Sequence, residues 1–301
     1  MTTNRASRPV QHNMSKINHR QQRRSGGVET QDIRPWSKKR PSLSVAIIAE
    51  NEREVLPFTL TCLKPLADYL EDVVIVDGFS TDGTPEIAET FAPALPIKVY
   101  RREFDTFSAH KNYALKRCWG QWILALDADM LINSHTFLDE FGRGEFNEAM
   151  VWNFALAYAR GDLRHYCRAS TTDAGTTCLF RNAGLHYEGD VNEYLVMPGR
   201  MGRDSVYNAQ TLRTSSRIKI VKMSMLKSDA GVREDVRRFK LWAEQNPAAG
   251  LPIETMEQRA EDLIAQRWAN AEPFKRSFLR QFPQEIFDML VPWQVLNEPA
   301  A

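Results

Sequence analysis

Two aspartates separated by one residue, Asp127-Ala128-Asp129, follow the apolar run Trp122-Ile123-Leu124-Ala125-Leu126. About fifty residues earlier a second apolar run, Val73-Val74-Ile75-Val76, also ends in an aspartate, Asp77. Carboxylates at i and i+2, just past a buried strand, offer hard oxygen ligands that can hold one divalent cation against a diphosphate. A diphosphate bridged in that way is a good leaving group, so the pattern points to chemistry at a diphosphate. In an open α/β sheet the ligand lies beyond the carboxyl ends of the strands. Two acidic strand ends in one such sheet therefore mark an active site.

Those aspartates need strands and helices to place them. Runs of five or six apolar residues bounded by polar ones read as buried parallel strands. Leu43–Ile48, Val73–Asp77, Ile97–Tyr100 and Trp122–Leu126 fit that description. Between the first two, Val55, Leu56, Leu60, Leu63 and Leu66 recur at helical spacing. Thr84 is a candidate N-cap with Pro85 at the first helical position, opening a short helix through Phe91. A further helix is expected from about Ser108 to Cys118. The resulting β-α-β-α-β-α-β order predicts an α/β fold, a mostly parallel sheet with flanking helices.

Beyond this region, Met150, Trp152, Phe154, Leu156 and Tyr158 alternate with smaller residues as one bulky face of a strand. Arg160 to Thr177 is polar and irregular and reads as a loop, a candidate for contact with an acceptor. From Gly231 the chain is helical, with stripes at Val232, Val236, Phe239 and at Met256, Ala260, Leu263, Ile264. Phe274, Phe278, Phe282, Phe287 and Trp293 make its last part apolar, which predicts packing on the catalytic domain, with a dimer or membrane-surface contact as alternatives. The expected division is a disordered basic leader over 1–40, a catalytic domain over 41–228 and a helical C-terminal extension over 229–301.

Composition is permissive, at 301 residues, 43% hydrophobic and 26% charged. The net charge of +1 hides an asymmetry, because residues 1–40 carry ten Lys/Arg against two Asp/Glu. Such a segment cannot bury enough apolar surface to fold alone. It is expected to be solvated, with contact to an anionic membrane face or to nucleic acid as the sharper reading. No apolar core follows its charges, so it does not read as a secretory signal. No apolar run approaches 18 residues, so no transmembrane segment is expected. Cys62, Cys118, Cys167 and Cys178 form no Cys-x-x-Cys pair and read as reduced structural thiols. The expected location is cytoplasmic, with a peripheral contact at the inner membrane face.

The motifs together resemble the family 2 glycosyltransferases of the GT-A, Rossmann-like fold. The resemblance is carried by Ser44–Glu52, Val73–Thr84 with Asp77-Gly-Phe-Ser-Thr-Asp-Gly-Thr84, Phe104–Leu115 with Lys111-Asn112, and Asp127-Ala-Asp129. Leu179–Asn182 and Tyr187–Leu195 resemble the branch that acts on lipopolysaccharide cores, peptides and similar acceptors. The match covers roughly residues 42–196. It implies inverting transfer of a sugar from a UDP-, GDP- or dTDP-sugar to a hydroxyl of a glycan, lipid-linked or protein acceptor.

Residue by residue, the resemblance implies that Asp77 accepts a hydrogen bond from the base, while Ala49 and Glu50, after the first strand, meet the nucleoside. Lys111 would face the phosphates. Asp129 would bind the metal, Mn²⁺ or Mg²⁺, and Asp127 the ribose or the metal through water. Such a cation takes up charge on the leaving nucleoside diphosphate. Glu193 in Asp190-Val-Asn-Glu193 matches the base that takes the acceptor proton. Two departures stand out. Asn192 replaces the usual histidine, and His186 nearby reads as structural. Many relatives carry a metal-completing histidine after the strand that ends near Met223, where Lys227 stands here as a point charge for the diphosphate.

Other chemistries fit less well. A haloacid dehalogenase also places Asp-x-Asp after a strand, but on the first strand of its core, and here three β-α units precede Asp127. A nucleotidyltransferase needs a Gly-rich, Arg-containing loop after its first strand, which this chain lacks. A binding-only relative has no use for both Asp129 and Glu193.

Overall fold

The computed structural model describes residues 41–168, 175–208, 210–268 and 270–297. The basic leader expected over 1–40 lies outside them, as does 169–174 of the expected acceptor loop. The first half alternates strands and helices: β1 (Leu43–Ala49), α1 (Leu56–Leu63), β2 (Leu70–Asp77), α2 (Thr84–Glu89), β3 (Ile97–Arg101), α3 (Phe107–Leu115) and β4 (Trp122–Asp127). β5 (Met130–Ile132) and α4 (Ser134–Arg143) follow, then β6 (Val151–Arg160), β7 (Asp162–Arg168), β8 (Gly175–Arg181), the short β9 (His186–Glu188) and β10 (Tyr194–Val196), and β11 (Leu212–Lys222). The chain closes with α5 (Asp229–Gln245), α6 (Met256–Ala265), β12 (Glu272–Pro273), α7 (Arg276–Leu279) and α8 (Gln284–Asn297).

One ten-stranded sheet runs β12-β7-β6-β8-β4-β1-β2-β3, with β11 pairing both β5 and β6. The half β4-β1-β2-β3 is parallel, as the β-α order predicts. From β8 outward the path to β12 is antiparallel, so the sheet is mixed. The change follows from the connections. The helices α1, α2 and α3 separate the parallel strands, whereas the single residue Gly161 separates β6 from β7, room for a hairpin and not for a crossover. The segment expected to be a loop over Arg160–Thr177 instead contains β7 and the start of β8. β7 hydrogen-bonds β6 through its backbone, which a polar side-chain pattern does not reveal.

Strand alternation divides the core. Leu43, Val45, Ile47, Val73, Ile75, Trp122, Leu124 and Leu126 face one side, against Leu56, Leu60, Leu63, Phe137, Phe141 and the C-terminal Phe282, Ile286 and Leu290. Ala46, Val74, Val76, Ile123 and Ala125 face the other, against Ala114, Leu115, Leu185, Tyr187 and Leu195. Burying one such Leu, Ile or Phe contributes about 1.5–3 kcal/mol, so both faces hold the strand ends in place. Cys62, Cys118 and Cys178 are buried free thiols and Cys167 is half-buried. Among the described residues no helix is long and apolar enough to cross a membrane.

Candidate active site

The parallel register brings the acidic strand ends together, Ala49 beside Asp77 and Ile48 beside Asp127. The loops after β1 and β2 then brace each other. Gly78 N donates to Ala49 O, Asn51 N to Ser80 Oγ and Glu52 N to Thr84 Oγ1, each at 2.8 Å. Arg53 N donates to Asp82 Oδ2 at 2.9 Å, and Thr81 N to Asn51 Oδ1 at 2.8 Å. Asn51 sits at φ 54°, a left-handed conformation that Asn tolerates better than most residues. Ser80, Thr81 and Asp82 thus hold the loop that carries Glu50. Asp77 is fully buried; its carboxylate accepts from Ser80 N at 3.2 Å and lies 3.5 Å from Arg101 Nε.

The loop Asp127–Asp129 is held from three sides. Thr59 Oγ1 on α1 donates to Ala128 O at 2.7 Å, and Met223 N donates to Asp129 O at 2.7 Å. Antiparallel pairing of β11 with β5 sets Lys222 opposite Met130 and so over the aspartate pair. Lys222 Nζ is 3.0 Å from Asp127 Oδ2 and 3.6 Å from Asp129 Oδ1. Ser224 Oγ donates to Asp129 Oδ2 at 2.7 Å.

Lys111 takes the remaining oxygen. Its Nζ lies 3.0 Å from Asp127 Oδ1 and 2.6 Å from Glu193 Oε1. Two local features aim it there. The Thr106 side chain caps α3 by accepting from Ala109 N at 3.1 Å. Asn112 donates to Tyr187 O at 2.8 Å and accepts from Tyr187 N at 2.7 Å, which docks α3 on the β9–β10 hairpin whose loop carries Glu193. Burial opposes charge on both lysines, yet their carboxylate partners hold each ammonium well above the ordinary lysine range. Burial likewise opposes charge on Asp127, but Lys111 and Lys222 outweigh it and hold the carboxyl below the ordinary range.

Lys227 points elsewhere, 2.8 Å from Glu52 Oε2 and 2.6 Å from Asp235 Oδ2. Arg238 continues this chain, 2.5 Å from Asp235 Oδ1, and donates to Glu50 O. Burial, with Asp129 and Asp235 adding to it and Lys227 opposing it, pushes the Glu52 carboxyl up to about 8. Glu52, Asp235 and Arg238 thus tie α5 to the loop after β1.

Two cavities open on these groups. One, of about 490 Å³, has Ala49, Glu50, Asp127, Asp129, Lys222 and Lys227 along its lining, together with Phe104, Phe107, Phe239 and Trp242. The other, of about 260 Å³, is lined by Lys111, Asp127, Thr176, Thr177, Tyr187, Glu193, Arg203 and Tyr207. Asp127 and its neighbourhood join them. Asp77 lines neither. Of the residues singled out in the sequence, Ala49, Glu50, Asp127, Asp129 and Lys227 share the larger cavity, while Lys111, Asp127 and Glu193 share the smaller.

A divalent cation at Asp127 and Asp129 meets oxygens that already have protein donors. Three of the four are within 3.0 Å of Lys111, Lys222 or Ser224, and Lys222 lies near the fourth. Among the described residues no group of three or more His, Cys, Asp or Glu is placed to hold a metal ion. In the arrangement observed, the donor set does not fit Mg²⁺ or Mn²⁺, which need several free oxygen ligands. Lys222, Ser224, Asp235, Arg238 and Trp242 were not legible in the sequence as site residues. Lys222 ends an alternating run, but only the β11–β5 register, across some ninety residues of chain, shows what it faces.

A parallel β-α half with an Asp-x-Asp at its strand ends, joined to an antiparallel half that presents a carboxylate beside it, is the architecture of a GT-A glycosyltransferase. The chain belongs to glycosyl transferase family 2, whose sequence profile matches residues 44–214. It is 36% identical over 87 residues to a TPR repeat-containing protein of Synechococcus elongatus, covering 29% of this chain and 20% of that protein. It is 33% identical over 88 residues to the lipopolysaccharide core biosynthesis glycosyltransferase LpsC of Rhizobium meliloti, covering 29% of this chain and 31% of that protein. These matches span about a fifth to a third of the relatives' own length. Among solved structures it is similar to residues 1–349 of S. aureus TarS in complex with UDP, at 18% identity over 84% of this chain and 78% of that one, with a TM-score of 0.47.

Proposed function

We propose that this chain is an inverting glycosyltransferase, moving a sugar from a UDP-, GDP- or dTDP-sugar to a hydroxyl of a glycan, lipid-linked or protein acceptor, in lipopolysaccharide-type biosynthesis. One observation carries the reading: Asp127 lines both cavities, and Lys111 bridges it to Glu193 where they meet. A donor lying along the strand ends then has its anomeric carbon facing Glu193. Ala49 and Glu50 meet the nucleoside, with Asp77 bracing the turn beside them. Asp127 and Lys111 serve the ribose and diphosphate, while Lys227 lines the same cavity from its pairing with Glu52 and Asp235. The acceptor oxygen attacks C1, its proton passes to Glu193, and the C1–O bond breaks with its electron pair on the β-phosphate. Residues 41–228 supply this machinery, and the extension over 229–301 closes the larger cavity through α5. A cytoplasmic location, with the basic leader at an anionic membrane face, belongs to the same reading.

Thermal unfolding with UDP, GDP, CDP and dTDP tests it. A ligand at 100 times its dissociation constant stabilises the native state by about 2.7 kcal/mol. One of the four is expected to raise the melting temperature; if none does, the donor site is misassigned.

A further inference from the structure

We propose that the ammonium of Lys222 holds the place between Asp127 and Asp129 that a divalent cation would otherwise fill, and that Lys222 binds the donor's diphosphate and stabilises the leaving group without a metal ion. The inference rests on the nucleotide-sugar reading above and specifies how that site handles charge.

Lys222 ends β11, which is paired on one side with β5, Lys222 opposite Met130, and on the other with β6, Lys222 opposite Tyr158. Its backbone is therefore fixed by two neighbouring strands, and the next residue donates to Asp129 O at 2.7 Å. From that anchor the side chain reaches both carboxylates, at 3.0 and 3.6 Å, and lines the larger cavity.

A metal ion bound to both aspartates has to displace this ammonium and then sit beside it as a like charge. With Lys111 shared between the other Asp127 oxygen and Glu193, two ammonium groups already stand among the three carboxylates Asp127, Asp129 and Glu193. An ammonium has three N–H donors; one is hydrogen-bonded to Asp127, and Asp129 at 3.6 Å is an ion-pair contact. That leaves N–H groups for a phosphate oxygen, a partner that lysine serves well as a point charge. As the bond from C1 to the β-phosphate oxygen breaks, its electron pair stays on that oxygen. Lys222 donates a hydrogen bond there and offsets the developing charge, while the acceptor oxygen bonds to C1 and loses its proton to Glu193.

Calorimetric titration of the full chain with UDP, GDP, CDP and dTDP, in EDTA and again in Mn²⁺, tests the proposal. The nucleotide that binds is expected to do so in EDTA with an affinity within about threefold of that in Mn²⁺. Lys222→Met should weaken binding in EDTA by roughly tenfold to a hundredfold, the loss of one charge-assisted hydrogen bond, and Mn²⁺ should restore part of it. Lys222→Arg, which keeps the charge, should bind in EDTA more tightly than Lys222→Met. Thermal melts of both variants check that they fold, and the wild-type comparison stands even if they do not. Binding by wild type only in Mn²⁺, or undiminished binding by a folded Lys222→Met in EDTA, overturns the proposal. No binding of any nucleotide in either buffer overturns the functional reading itself, and this inference with it.

Discussion

Asp127 and Glu193 lie far apart in the chain, and the ammonium of Lys111 joins them at 3.0 and 2.6 Å. The lysine fixes the orientation of the carboxylate proposed as base. Glu193→Gln keeps the shape and removes that proposed base. Turnover is expected to fall by about 10²–10⁴-fold, with nucleotide diphosphate binding retained, as steady-state kinetics beside calorimetry will show. Glu52 makes a different prediction. Its carboxyl is raised to about 8 in the folded chain from an ordinary value of 4.5. Between those values the folded state holds a proton that the unfolded state has released, so stability falls as pH rises from about 5 to 8. Above 8 this contribution is constant. Denaturant melts across that range should show the slope in wild type and a flatter profile in Glu52→Gln.

At the scale of elements, the site depends on how closely β1 and β4 approach. Gly120 leads into β4, and a Cβ there would lie 2.4 Å from Ser44 N and 2.6 Å from the carbonyl carbon of Leu43. Ser44 Oγ accepts from Gly120 N at 2.7 Å in the same contact. Gly120→Ala must push β4 off β1, and chemical denaturation should report a loss of about 1–3 kcal/mol. Such elements were legible to different degrees. The parallel strands announced themselves because both faces are buried, which makes each an unbroken apolar run. The helix expected from Ser108 to Cys118 runs from Phe107 to Leu115, and the helix expected at Thr84 has Gly83 as its N-cap. β7 was hidden because a strand with a wet face keeps its backbone pairing whatever its side chains are. Asp127 and Asp129 were readable from type and spacing, Lys111 and Glu193 only through the resemblance to the family. Lys222 was not, since its meaning comes from pairing between distant strands.

Across the whole molecule, the C-terminal helices do more than cover a surface. Phe282, Ile286 and Leu290 belong to the same buried cluster as Leu43 and Ile47 of β1. Trp242 on α5 donates from Nε1 to Asp105 O at 2.7 Å and stacks on Phe239, and both aromatic rings line the larger cavity. The extension thus takes part in the core and in the cleft, and in this account donor and acceptor meet between the two halves of the sheet. The most direct test of that account uses water as a minimal acceptor. An α-linked nucleotide sugar, chosen by the nucleotide that binds, is incubated with the protein, and proton NMR follows the first free sugar before it mutarotates. Inverting attack on the Glu193 side predicts that the β anomer appears first, and that Glu193→Gln loses the signal. Initial release of the α anomer, or hydrolysis unchanged in Glu193→Gln, would contradict it.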